Sequence, residues 1–336
     1  MVRKVNSNLV IVSALVVLVY NVPVFSGDAN LVSHWTFDDG SGTIAYDSAG
    51  ENDGTLVGDP MWTSGQIDGS LSFDGSGDYV SIGNTVTHNL PNGTFAAWVY
   101  PLDMGRYCGI RNFAYVIGAA YWPGELGFRV SGDGGGFATV QNTSSHPGFY
   151  IPPGTFVEGY WYHVALTWDG SHWRGYVNGL EKGSLPSTLG TSASSPRDTL
   201  IGKGWDGCSW NGAIDDVRIY DKALTAAEVE QLYFEGLSDY ERAVIRLENA
   251  LDEKQIALDA VDAAMAEEAD AYEALDDLLD SKDYGDLRKS DIIKARQRIH
   301  SAIQHQDQSA GALERGLEQL VDAMEALGVE AEPNEP

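Results

Sequence analysis

The sequence predicts a mainly β N-terminal domain, a sandwich of two antiparallel sheets, followed by an all-α C-terminal helical hairpin. Three observations predict this. From Leu31 to about Leu224, short runs alternate apolar and polar residues and are separated by Gly, Asp, Asn, Ser and Pro, the pattern of many short strands. Near Leu224 the period changes, and Thr225-Ala226-Ala227-Glu228 and Ser238-Asp239-Tyr240-Glu241 are both capping boxes. Beyond them, apolar residues recur every seven positions over about ninety residues.

Taken in order, residues 1–26 read as a signal peptide. Arg3 and Lys4 form a basic start, and Leu9 to Val19 is an apolar run too short to span a bilayer. Residues 30–235 form the sandwich, with strands at Leu31–Phe37, Thr94–Tyr100, Tyr162–Trp168 and Trp173–Val177. Asp169-Gly170-Ser171 and Asn178-Gly179 are its clearest turns. A short helix starts at the first capping box and runs to about Phe234. Residues 238–328 form an antiparallel coiled-coil hairpin. One arm carries Val244, Leu251, Leu258, Met265, Tyr272 and Leu279, with an alanine track beside them; the other carries Ile292, Ile299, Gln306, Leu313, Leu320 and Leu327. Asp283-Tyr284-Gly285-Asp286 is the expected turn between the arms. Residues 329–336 are an acidic tail.

The protein has 336 residues and a formal net charge of −28. Residues 1–30 contribute +1, residues 31–224 contribute −11 and residues 225–336 contribute −18. So acidic a surface repels nucleic acid and anionic membranes, so neither is an expected partner. There are two cysteines, Cys108 and Cys208. Export permits a disulfide between them, and the alternative is two separate thiols.

Catalytic signatures are missing from the sandwich. Its glutamates are few, and Glu125 stands alone beside Trp122 and Pro123. Glycosidases need a pair of carboxylates flanking the scissile bond, and no Glu-x-Asp-x-x-Glu strand occurs. A serine nucleophile elbow, His-Glu-x-x-His and phosphate-binding glycine loops are also absent, so an enzyme is not expected. His34 and His163 sit in strands beside tryptophans, where a structural role is expected. Aspartate in Gly-rich loops dominates instead, a source of the hard oxygen ligands that Ca²⁺ prefers. Asp38 ends the first strand and Asp215 begins the last, so in a fold that brings those strands together the two are candidates for a shared structural cation; the alternative is that such aspartates only shape turns. Among aromatic residues, Trp35, Trp98, Trp161 and Trp168 alternate within strands and are expected in the core, and Trp210 is expected to pack. Tyr107, Tyr121, Trp122 and Trp205 lie in irregular Gly-rich stretches and are the candidate sugar-stacking platform.

Four stretches resemble the LamG-like members of the concanavalin A-like lectin/glucanase superfamily. They are Leu31-Val32-Ser33-His34-Trp35-Thr36-Phe37-Asp38, Ser72-Phe73-Asp74-Gly75-Ser76-Gly77-Asp78-Tyr79-Val80, Trp161 to Gly170, and Gly212-Ala213-Ile214-Asp215-Asp216-Val217-Arg218-Ile219-Tyr220. The resemblance covers roughly residues 31–233. It implies a jelly-roll sandwich closed by a short helix, and a calcium ion at a sandwich edge with Asp78 at the position of the acidic ligand. This fold hosts lectins, adhesion modules and enzymes. The expected function is exported, non-catalytic carbohydrate binding, with the coiled coil as a spacer or oligomerisation element. Alternatives are a cell-surface adhesion protein that binds a protein partner and a polysaccharide-degrading enzyme. Expected partners are a glycan or glycosylated surface, and a second copy or partner helices at the coiled coil. No membrane insertion is expected after signal cleavage, and the expected location is secreted, periplasmic or cell surface.

Overall fold

The computed structural model describes residues 29–83, 90–104, 113–119, 126–140, 148–188, 190, 198–204, 207–282 and 288–326. The described strands are β1 (Leu31–Trp35), β2 (Ile44–Ala45), β3 (Gly54–Val57), β4 (Met61–Ser64), β5 (Gly69–Asp74), β6 (Tyr79–Ser81), β7 (Gly93–Pro101) and β8 (Phe113–Ala119). They continue with β9 (Leu126–Ser131), β10 (Gly136–Val140), β11 (Phe149–Ile151), β12 (Tyr162–Trp168), β13 (His172–Val177), β14 (Leu180–Pro186), β15 (Thr199–Ile201) and β16 (Asn211–Tyr220). Three helices follow: α1 (Ala226–Glu235), α2 (Asp239–Ser281) and α3 (Lys289–Ala326). The chain divides into two compact units after Gly236.

The first unit is a sandwich of two antiparallel sheets. One has the order β14-β13-β12-β7-β16-β5-β4, with β1 also paired to β16; the other runs β11-β10-β9-β8-β15-β6-β3-β2. Alternate residues of the facing strands fill one core, among them Trp35, Phe73, Phe95, Val116, Phe128, Leu166, Trp168 and Ile214. Turn chemistry follows the sequence. Asp169 accepts from the backbone N–H groups of Ser171 and His172 at 2.8 and 2.7 Å, with Gly170 at φ 78°. Asn178 and Gly179 both take positive φ, as a type I′ turn requires.

The outer face of the first sheet is partly covered by α1. The Thr225 capping box opens that helix as expected. Val229 and Leu232 pack with Leu224 on Ala96, Ala165, Tyr176 and Tyr220. Tyr233 lies against Trp98, whose ring also meets His163 edge-on at 5.4 Å. Trp98 is therefore buried beneath the helix and not between the sheets. Trp35, Trp168 and Trp210 are fully buried, but Trp161 is not. It precedes β12 and points outward, so its expected place in the core is corrected.

The second unit is a hairpin of α2 and α3. Ser238 completes the second capping box, and α2 ends with Lys282 in the left-handed conformation. The helices are antiparallel: Arg296 bonds Asp276 at 2.9 Å, the Tyr272 and His300 rings lie 5.9 Å apart, and Lys254 lies close against Gly316. The turn expected at 283–286 lies outside the described residues. Gln306 is in the seam, where its Oε1 and the Oε2 of Glu268 are buried without hydrogen-bond partners among the described residues. No described helix is long and apolar enough to cross a membrane.

Candidate cation sites and the aromatic face

β16 changes partners midway. On one side its residues Asn211–Ile214 pair with β5, whereas Val217–Tyr220 pair with β1. On the other side, its register with β7 shifts between Asp215 and Arg218. The irregularity puts Asp216 at φ 50° and presents two consecutive carboxylates at the junction of three strands.

The two carboxylates have different surroundings. Asp216 bonds the Nε2 of His34 and pairs with Arg218 at 3.1 Å, and Arg218 reaches Glu235 of α1 at 3.1 Å. Burial opposes the ionisation of Asp216, but His34 and Arg218 hold its carboxyl below the usual range. Asp215 is fully buried. Its Oδ2 accepts from Ile67 N–H at 2.9 Å, while its Oδ1 has no hydrogen-bond partner among the described residues. Burial pushes its carboxyl up to about 8, helped by the charges of Asp216 and Asp38. Asp38 accepts from Gly69 N–H at 2.6 Å, so the Gln66–Gly69 loop draws it toward Asp215. Glycine is required at Gly65, because a Cβ there would come within 2.5 Å of the Asp215 Oδ2. An orphaned, buried carboxylate oxygen beside a second carboxylate fits a hard cation: bound metal supplies the charge that burial denies.

A second cluster follows the Phe73-Asp74-Gly75 turn. Asp59, Asp74 and Asp78 bring one oxygen each within 4.8 Å of the others. Asp78 is buried, and its two oxygens accept from the N–H groups of Asp59 and Asp74 at 2.9 and 3.1 Å. These bonds explain the turn and still leave lone pairs for a cation. The sequence pointed to Asp78; Asp59, nineteen residues earlier, joins it only through the fold.

The candidate ligand residues Tyr107, Tyr121, Trp122 and Trp205 lie outside the described residues, as do Cys108 and Glu125. Cys208 is buried, and no described cysteine is free. What the structure adds is a row on the outer face of the second sheet. Tyr115, Arg129, Phe137 and Tyr150 are direct cross-strand partners on β8, β9, β10 and β11. Four strands at about 4.8 Å spacing make this row about 15 Å long. The Arg129 guanidinium lies 4.6 Å from the Tyr115 ring centroid and 5.1 Å from that of Phe137. Phe137 and Tyr150 are 5.0 Å apart, and Tyr150 is 79% exposed, whereas Tyr115 is fully buried, so the accessible part of the row is its Tyr150 end. Alternation with the buried Ala114, Val130 and Ala138 was the sequence signal that could have found this row.

Residues 74–230 match the family model described as the concanavalin A-like lectin/glucanases superfamily, of laminin G type. Among curated proteins, none matches this chain. Domain 4 of AbnA, a GH43 extracellular arabinanase from Geobacillus stearothermophilus solved with arabinotriose, is similar at 23% identity and a TM-score of 0.51. That match covers 62% of this chain and 100% of the domain. The binding domain of Paraclostridial Mosquitocidal Protein 1 is similar at 15% identity and a TM-score of 0.50, over 61% of this chain and 52% of that one. Both likenesses are of fold. With two antiparallel sheets, a helix after the last strand and a family match over residues 74–230, the sandwich of this protein has the fold of the concanavalin A-like lectin/glucanases superfamily.

Proposed function

We propose that the protein is an exported, non-catalytic glycan-binding module in which calcium stabilises the sandwich. The observation that carries this reading is the exposed Tyr150 beside Phe137 at the accessible end of the cross-strand row. Aromatic rings stack on the apolar faces of sugar rings, and the Tyr150 hydroxyl adds a polar edge. Calcium is assigned to Asp38 with Asp215 and to the Asp78 cluster, because both offer only hard oxygen donors. The basic start and apolar run of the first residues support export, and export in turn supports a Cys108–Cys208 bridge. Heptad tracks on α2 and α3 support a coiled coil that spaces the module or joins copies of it, which would raise avidity for repeated glycans.

Arabinotriose, the sugar in the AbnA domain 4 structure, is the first ligand to titrate by calorimetry, followed by a glycan array. Tyr150→Ala is expected to weaken binding at least fivefold without changing the melting temperature, since Tyr150 packs little of the core. Binding unaltered in that variant, or no saccharide bound by the intact protein, would remove the reading.

A further inference from the structure

The outer face of the first sheet is not wholly covered. Beyond Trp98, where α1 ends against the sheet, the outward positions of β7 and the residues leading into β12 continue with Tyr100, Leu102 and Trp161. The Tyr100 and Trp161 rings pack at 5.4 Å. A tight turn holds them. Gly159, at φ 85°, donates its N–H to the Pro101 carbonyl at 2.9 Å, and a Cβ on it would lie 3.6 Å from the Tyr100 hydroxyl. Glu158 accepts from Met104 N–H at 2.6 Å, and the Tyr162 hydroxyl bonds Val157 N–H at 3.0 Å. The turn is thus tied to both strands, yet it presents Tyr160 at 64% exposure and Leu102 at 56%. Nothing in the folding of the sandwich requires large apolar residues at these exposed positions.

We propose that Tyr100, Leu102, Tyr160 and Trp161 form a second saccharide-stacking surface, selective for neutral sugars. It lies on the opposite sheet from the Arg129 row and does not depend on it. Three arguments fix the occupant. First, exposed rings offer apolar faces while their hydroxyl and indole N–H edges stay polar, which suits a sugar with one apolar face and equatorial hydroxyls. Second, the exposed apolar area of these four residues is about 300–400 Å², judged from aromatic side chains of about 150–250 Å² each. That matches a short saccharide and falls well short of the roughly 800 Å² per partner in a stable protein interface. Third, among the described residues the charges adjacent in the chain are Glu158 and Asp103, on a sandwich with a net charge of −11, which disfavours uronates and sulfated sugars.

Native gels cast with soluble arabinan, arabinoxylan or mixed-linkage β-glucan test this with the full chain. At least one of these neutral polysaccharides is expected to retard the intact protein. Tyr160→Ala should cut that retardation at least threefold with an unchanged melting temperature, and Trp161→Ala should do the same if its melting temperature holds. Chondroitin sulfate in place of the neutral polymer should give no Tyr160-dependent retardation. Retardation that is unaffected by Tyr160→Ala, or that is removed entirely by Tyr150→Ala, would overturn the proposal, as would no retardation of the intact protein by any neutral polymer. Retardation insensitive to Tyr150→Ala but lost with Tyr160→Ala would sink the Arg129-row reading and leave this surface standing.

Discussion

His163 is wholly buried between Trp98 and α1, with no room for water to solvate a charge. Burial pushes its imidazole down to about 3, and the nearby Asp216 charge only partly opposes this. The unfolded chain takes up a proton near pH 6.5; the folded chain refuses it until about pH 3. Stability from this residue is therefore complete above pH 6.5 and is lost as pH falls toward 3, at about 1.4 kcal/mol per pH unit. Between pH 4.5 and 6.5 the raised Asp215 carboxyl contributes a slope of the opposite sign, because the folded chain keeps a proton there that the unfolded chain has lost. His163→Phe should therefore remove the rising component and leave stability falling as pH rises in chemical denaturation. An unchanged slope would show that water reaches the ring. At this scale the sequence was a partial guide. It marked His163 as structural from its strand and, through the family resemblance, Asp78 as a candidate cation ligand, both of which are buried in the structure. It hid the outward turn of Trp161, because alternation is read from strand ends, and Trp161 lies just before β12 begins.

The helical hairpin shows how far an element is legible from its pattern. Heptads and capping boxes placed the starts of α1 and α2 within a residue, since both signals are local. Polar seam residues are a different matter, because a heptad says where a side chain faces and not what meets it. Gln306 was expected to find a polar partner or water. Its Oε1 is instead buried and unpartnered among the described residues, as is the Oε2 of Glu268. An unsatisfied buried acceptor costs about 1–3 kcal/mol. Gln306→Leu is therefore expected to stabilise the hairpin by about 1 kcal/mol, read as a higher midpoint of helix melting at 222 nm. A lower midpoint would show that Gln306 has a partner after all.

Across the whole molecule, the two units keep separate cores, and all nine tryptophans fall before residue 237. Tryptophan fluorescence thus reports only the sandwich, whereas ellipticity at 222 nm is dominated by α2 and α3. Heating should give two transitions, one by each probe. EDTA should lower only the fluorescence transition, and added Ca²⁺ should restore it, because the acidic cation candidates all lie in the sandwich. A fluorescence midpoint indifferent to EDTA would remove calcium from the account. The architecture itself was legible because period two and period seven occupy separate stretches. The candidate cation site at Asp215 was only half legible: its members lie apart in the chain, and the register shift that aims them is set by three strands at once.

That same strand governs how the sandwich comes into being. β16 holds β7 on one flank and both β5 and β1 on the other, with Trp35 paired to Val217 across some 180 residues. Until β16 emerges, three strands expose unpaired edges, and the first strand has no partner at all. Such distant pairing makes closure slow and late, since the loop must be brought together before its contacts form. A nascent or truncated chain ending before Asn211 is thus an aggregation hazard, open along several edges at once. α1, arriving directly after β16, is timed to seal the sheet that this strand completes.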